Sequence, residues 1–320
     1  FKVLSAQSPL SIQSHPNKEQ AIEGWKKENE ARIPLHAYNR NYKDDNHKPE
    51  LVYAITEFHA LNGFREYSQI YELFTLVQSS YLKEKLEIFA RSMNSEGLKE
   101  FYYALMTNPQ PTNLVLEIIE NISERLEKNL DPKPLENLWK LIISIHNKYP
   151  GDVGVLSPLL INYVVLQPGE AMFLEAGTLH AYLKGTSLEL MANSDNVLRG
   201  GLTSKHVDIE ELLRTTVFEP IAQDKIKLSE TQLTKYEHTY PTDVDDFRLN
   251  IIELKNNMTT EVKNVNSAEI LFIAQGHVRI LTNRGDKADL IAGQSCFISA
   301  ENESYTINGI GKVARAFTPT

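Results

Sequence analysis

Apolar and polar positions change their period along this chain, and the changes divide it. From Phe1 to Arg65, short strand-like runs such as Phe1-Lys2-Val3-Leu4 alternate with loops. Asn17 to Asn29 is a polar, helix-compatible stretch after Pro16, whereas Asn39 to Asn46 is too polar and turn-rich to be anything but loop. From about Glu66 to Tyr149 the spacing becomes helical: Tyr71, Leu73, Phe74 and Leu76, then Leu114, Leu116, Ile118, Ile119 and Ile122, then Leu138, Leu141, Ile142 and Ile145. Asn108-Pro109-Gln110-Pro111 and Asp131-Pro132-Lys133-Pro134 punctuate this block, because proline ends one helix and opens the next. Strands resume at Asn162 to Leu166, and Gly169 and Gly177 permit the tight turns that follow. The pattern predicts a mainly β protein with an inserted α-helical domain. The expected segments are 1–65, 66–150, 151–223 and 224–320, the first and third forming one domain around the helical insertion.

The strand-like stretch Leu10 to Pro16 carries the first candidate chemistry. In an extended strand Ser11, Gln13 and His15 face one way and Leu10, Ile12 and Ser14 the other. Gln13 and His15 then sit roughly 7 Å apart at the backbone, near enough for both tips to meet one ion. An edge strand with a polar outer face is the plainer reading of these residues. His47 to Ile55 reads as another strand, on which Glu50 is a candidate third ligand with Lys48 on the same face.

A fourth candidate comes from the segment Gly169 to His180. Its Gly169, Gly177 and His180 resemble the second signature motif of cupin barrels, in which the histidine is a metal ligand, with Glu175 in place of the usual proline. Leu166, Gly169 and Phe173 recur as Leu290, Gly293 and Phe297, and the same register places Ser304 where the first copy has His180. The region from about Asp224 is therefore expected to be a second cupin-like barrel without a metal.

Composition narrows the class. With 320 residues the chain exceeds what one core usually carries. A net charge of −9 argues against binding nucleic acid. No apolar run is long enough to cross a bilayer and no signal peptide is visible, which argues against a membrane or secreted protein. The single cysteine, Cys296, fits a reducing compartment, so the cytoplasm is expected.

Gln13, His15, Glu50 and His180 together offer an amide oxygen, a carboxylate and two imidazoles, a set suited to zinc with an open position for water or substrate. Arg199, directly before Gly200 and Gly201, and Lys205 form a candidate anion clamp.

The runs Pro9 to Pro16, Lys48 to Leu51, Gly177 to Tyr182 and Glu189 to Thr203 resemble those of the type I mannose-6-phosphate isomerases, in the family's order. The resemblance implies two jelly-roll cupin barrels and one Zn2+ per chain, held by Gln13, His15, Glu50 and His180. It also implies isomerisation of mannose 6-phosphate and fructose 6-phosphate by proton transfer between C1 and C2 through an enediol. Arg199, Lys48 and Asp195 fall on the family's active-site positions. Lys48 and Asp195 are expected to handle protons and His47 to support ring opening. Ser11, Lys205, Glu189 and Tyr182 are expected to bind the substrate with Arg199. The only expected partner is the phosphosugar, with the chain a monomer. Against the family pattern, Ser204 replaces a common proline, and the N-terminal part of the catalytic barrel is expected to be missing. A non-catalytic phosphosugar-binding cupin and a metal-dependent cupin oxygenase are the alternatives.

Overall fold

The first half of the chain is a β framework interrupted twice. In the computed structural model, which describes residues 1–319, β1 (Lys2–Ala6) and β2 (Gln13–Ser14) precede helix α1 (Lys18–Glu30), and β3 (Glu50–Ala54) and β4 (Phe58–Phe64) follow it. A capping box starts α1: the Asn17 side chain accepts from the Gln20 N–H at 2.8 Å while Gln20 Oε1 accepts from the Asn17 N–H at 3.0 Å. On the buried face of α1 the Glu28 carboxylate accepts from the backbone N–H groups of Asn41 and Tyr42, at 3.0 and 2.9 Å, and pairs with Arg40. The polar loop of residues 39–46 is thereby tied down, and it delivers the chain to β3.

Helices α2 (Tyr67–Val77), α3 (Lys83–Arg91), α4 (Ser95–Met106), α5 (Pro111–Glu127), α6 (Lys133–His146) and the short α7 (Ser157–Leu160) come next. Their apolar stripes, among them Leu73, Phe74, Leu114, Ile118, Ile122, Leu138, Ile142 and Ile145, share one core with Ile12, Leu61, Leu179, Ala181 and Leu183 of the β framework. That shared core orients the site. Ile12, Leu179 and Ala181 point into the helices, so Gln13 and His180, one residue along, point out on the other side of their strands.

The framework is completed by β5 (Ile161–Leu166), β6 (Ala171–Leu174), β7 (His180–Met191) and β8 (Leu198–Arg199), followed by α8 (Ile209–Thr215). The strand expected from Leu10 onward is shorter than the alternation suggests. Only Gln13 and Ser14 join a ladder, between β7 and β8, whereas Leu10 and Ile12 donate singly to the Tyr182 and Gly201 carbonyls. Pro9 and Pro16, without N–H donors, flank the segment.

The C-terminal sheet contains β9 (Thr231–Gln232), β10 (Glu237–Thr239), β11 (Arg248–Lys263), β12 (Glu269–Thr282), β13 (Lys287–Ile291), β14 (Ser295–Ile298) and β15 (Ser304–Phe317). Strand pairing repeats the first half. β4 lies between β5 and β7 as β12 lies between β13 and β15, and β6 pairs with β3 as β14 pairs with the first residues of β12. β1 and β2 share β7 where the single strand β11 runs along β15. The turns after β5 and β13 use Gly169 and Gly293 at φ of 98° and 87°, a region that suits glycine. The helical block between β4 and β5 is replaced in the second copy by the tight turn from Asn283 to Asp286.

The repeat corrects one expected position. His180 lies opposite Gln13 and Asn62, and the residue so placed in the second copy, opposite Val262 and Thr282, is Tyr305 and not Ser304. Leu174 and Ile298 still correspond, opposite Glu50 and Glu269, so the one-residue difference lies in the loop that follows, which is longer before Tyr305 than before His180 and which counting residues does not reveal. The two barrels meet through Leu51, Tyr53, Leu188 and Leu190 on one side and Leu249, Ile251, Ala314 and Ala316 on the other. Among the described residues no helix is long and apolar enough to cross a membrane.

Candidate metal centre

The residue following β2, His15, meets Glu50 of β3 and His180 of β7. One possible ligand atom from each lies within 4.8 Å of the others, and all three residues are buried. Backbone carbonyls fix both rings: His15 Nδ1 is 2.7 Å from the Asn196 oxygen and His180 Nδ1 is 2.8 Å from that of Thr178. A carbonyl only accepts, so Nδ1 carries the proton and the Nε2 lone pair is exposed on each ring. These Nε2 atoms lie 3.3 and 3.6 Å from the two Glu50 oxygens, and His15 Nε2 has no hydrogen-bond partner.

Lone pairs facing carboxylate oxygens at that range repel unless a cation lies between them. Neighbouring ligands of a tetrahedral ion with bonds of about 2.0–2.1 Å are separated by about 3.3–3.4 Å, so the donor set fits a divalent metal. Burial pushes the His180 imidazole down to about 4, which keeps it neutral as a ligand must be. Burial alone would raise the Glu50 carboxyl, but positive charge around it, from Lys48 and from His15 and His180 whenever these are protonated, holds it well below its ordinary value.

Gln13 pairs directly with both His180 and Arg199, and directly paired residues share a face of the sheet. Its amide nitrogen donates to Ser11 Oγ at 3.2 Å, leaving the amide oxygen available as a ligand. Lys48 is buried with Nζ 3.0 Å from Glu50 Oε1, and the Tyr182 hydroxyl donates to Glu50 Oε2 at 2.9 Å. Buried Glu189 faces Lys2 at 2.6 Å. Burial and then the Glu50 charge raise the Glu189 carboxyl, against the pull of Lys2.

The remaining candidates lie farther out. Arg199 is partly buried, and burial lowers its guanidinium. Asp195 is exposed, and its backbone N–H donates to Asp44 Oδ2. Lys205 is exposed on the following loop, with its N–H bonded to Thr203 Oγ1. His47 turns toward the C-terminal barrel, where Asp246 meets its Nε2 at 2.9 Å.

Two supporting residues escaped sequence reasoning. Asn196 bonds the backbone of Lys43, Asp44 and Asn46 through its side chain and holds His15 through its carbonyl. Lys2 reaches Glu189 from the opposite end of the framework. The only sequence signal for either is a polar residue inside an otherwise apolar or turn-rich run.

Residues 1–67 match the family model for phosphomannose isomerase type I, catalytic domain, and residues 236–318 match that for mannose-6-phosphate isomerase, cupin domain. Mannose-6-phosphate isomerase of Escherichia coli (strain K12) is 42% identical over 317 residues, which is 99% of this chain and 78% of that protein. The Rattus norvegicus protein of the same name is 34% identical, with 96% of this chain and 73% of that protein covered. A point mutant of phosphomannose isomerase from Salmonella typhimurium superposes with a TM-score of 0.90 at 39% identity, covering 99% of this chain and 78% of that one. A zinc-bound mannose 6-phosphate isomerase superposes with a TM-score of 0.89 at 39% identity, with the same coverage. The fold is thus the mainly β, helix-inserted, two-barrel cupin arrangement expected from the sequence.

Proposed function

This chain belongs to the type I mannose-6-phosphate isomerase family, and from that premise we propose that it interconverts mannose 6-phosphate and fructose 6-phosphate at the centre built around Glu50. It is an aldose-ketose isomerase. Zinc, held by Gln13, His15, Glu50 and His180, supplies a Lewis acid for the sugar oxygens that gain negative charge. The observation that carries this reading is the pair of imidazoles with Nδ1 pinned and Nε2 aimed at the Glu50 oxygens.

The residues around the centre divide the remaining work. Moving a proton between C1 and C2 through an enediol needs a group that takes it from carbon and donors for the oxygens. Lys48, held against Glu50 as an ammonium ion, stands on the donor side, and Asp195 shares the proton handling. Arg199, in register with Gln13, presents a planar guanidinium to the phosphate, with Lys205 as a second cation. Ser11, Glu189 and Tyr182 contact the sugar hydroxyls. His47 supports ring opening. The segments 1–65 with 151–223, 66–150 and 224–320 act as catalytic barrel, helical insertion and metal-free barrel.

Metal analysis and turnover in heavy water test the proposal together. The zinc-loaded protein should exchange or transfer the C2 proton of mannose 6-phosphate, and His180→Ala should lose both metal and turnover. A phosphosugar-binding cupin would leave the C2 proton untouched. Metal-dependent turnover retained by His180→Ala would count decisively against this site.

A further inference from the structure

Where the apolar contact between the barrels ends, the two sheets part around a cleft of about 640 Å³. Ligand sites for small molecules run roughly from 300 to 1,000 Å³, so there is room for one. Tyr53 of β3 and the turn at Gly169 form one wall, and β10, β11, β15 and the hairpin joining β9 to β10 form the other. Tyr53 lies three positions along β3 from Glu50, so its side chain leaves the opposite face of the strand. The cleft is therefore separate from the metal centre.

Its inner end is already paired. Lys312 Nζ is 2.7 Å from Glu253 Oε1 and donates to the Tyr53 hydroxyl at 3.2 Å, while the Tyr240 hydroxyl donates to the Gly169 carbonyl. Its outer end is not. Lys235 and Lys255 are exposed, and neither enters an ion pair among the described residues. The β9–β10 hairpin runs beside β11, where the Glu253 N–H donates to the Tyr236 carbonyl at 2.8 Å, and this brings both lysines to the same end. Lys235 Nζ stands 5.2 Å from the centre of the partly exposed Tyr236 ring. The second acid, Glu230, lies 3.5 Å from His238 Nε2. Three lysines thus face two carboxylates, in a chain whose net charge is −9.

The backbone departs from a regular strand to build this wall. The register of β11 breaks between Leu254 and Met258, with Asn256 and Asn257 at φ of 57° and 53°. In an unbroken strand Lys255 and Asn256 would leave opposite faces, whereas across the bulge both line the cleft.

We propose that this cleft binds a small phosphomonoester carried on a ring, the chemistry shared by nucleoside monophosphates and sugar phosphates. The phosphate, with a charge of about −1.5 to −2, matches the two ammonium groups of Lys235 and Lys255. Tyr236 and His238 offer aromatic surface to the ring body, be it a base or the apolar face of a sugar. Asn256 and Gln232 supply hydrogen bonds for hydroxyls. The inference does not rest on the isomerase reading.

Two methionines report on the two sites: Met258 lines the cleft, and Met191 pairs directly with Glu50. The test follows their 13C-labelled methyl groups in the zinc-loaded protein during titration with adenosine 5′-monophosphate, mannose 6-phosphate, adenosine or inorganic phosphate. At least one of the two phosphomonoesters should shift the Met258 methyl saturably, and inorganic phosphate and adenosine should bind there about tenfold more weakly or worse. A Met258 shift with the nucleotide alone assigns the site to nucleotides, and one with mannose 6-phosphate alone assigns it to sugar phosphates. Replacing both exposed lysines, Lys235→Gln with Lys255→Gln, should raise Kd at the cleft about tenfold or more and leave kcat unchanged. If that variant does not fold, each single replacement should raise Kd severalfold. The inference falls if neither phosphomonoester moves Met258 at millimolar concentration, if inorganic phosphate binds as tightly as both, or if the lysine variants bind like the parent.

Discussion

Glu50 and Glu269 hold the same place in the two barrels, and their surroundings differ in how positive charge is supplied. Glu50 pairs across the sheet with Leu174, Glu269 with Ile298, at matching points of β6 and β14. Around Glu50 stand two histidines offering lone pairs. Around Glu269 the corresponding positions are Val262 for Gln13 and Tyr305 for His180, and the position of Glu189 is taken by Arg315. The Arg315 guanidinium meets both Glu269 oxygens, at 2.7 and 2.5 Å, and reaches Glu237 at 3.0 Å, while the Tyr305 hydroxyl donates to Glu269 at 2.6 Å. Asn250, opposite Arg315 as Lys2 is opposite Glu189, donates to Glu237 at 2.6 Å.

A buried carboxylate needs a positive partner, and this fold meets the need in two ways. The C-terminal barrel carries its cation covalently, as a side chain whose three guanidinium nitrogens each donate to a buried carboxylate. The first barrel sets the Lys48 ammonium against one Glu50 oxygen, but keeps histidine lone pairs facing the carboxylate and leaves room there for an ion from outside. One centre is a closed structural network and the other an open site.

The comparison can be broken hardest at Arg315. Arg315→Met leaves Glu269 and Glu237 buried without their cation and should cost about 3–5 kcal/mol in urea unfolding. Adding Glu269→Gln and Glu237→Gln should return most of it. Metal content and kcat of the folded fraction should stay unchanged, and metal lost from the first barrel would show that the two centres are not independent.

Acid should separate the two centres next. In the metal-free protein His180 is held down to about 4 by burial, against an ordinary 6.5. Between those values the unfolded chain binds a proton that the folded chain does not, so stability is complete above about 6.5 and falls as the pH drops toward 4. Burial alone would lower the Arg315 guanidinium, but Glu269 raises it, so it stays charged throughout. Amide exchange in the core of β7 should therefore lose about 2 kcal/mol of protection from pH 7 to pH 5, with β15 unaffected. Equal losses in both strands would remove the distinction.

The smallest effect is expected at the retained hydroxyl. Tyr305→Phe removes one hydrogen bond to a carboxylate that Arg315 still holds, and should cost about 1 kcal/mol in unfolding with no change in turnover.

Much of this architecture was legible along the chain because its causes are local. The prolines before α5 and α6, the helical spacing from Tyr71 to Ile145 and the glycine turns at Gly169 and Gly293 each act within a few residues. The candidates Gln13, His15, Glu50 and His180 were visible as residue types suited to a metal. What escaped notice depended on distant partners. Asn196 looks like a turn residue until its carbonyl is found on His15, and Asp246 has no sequence relation to His47. Arg315 reads as an ordinary polar strand position, and Tyr305 is hidden by one extra residue in the loop before β15.

Propensity, proline and glycine placement and side-chain chemistry thus settled, from the linear chain alone, the order of strands and helices and the kind of ion the first barrel could take. Which carboxylate receives an external ion and which an internal guanidinium was decided only on folding. Strand register sets which residues face each other across a sheet, and one extra loop residue or one strand pairing exchanges a histidine for a tyrosine at the same point in space.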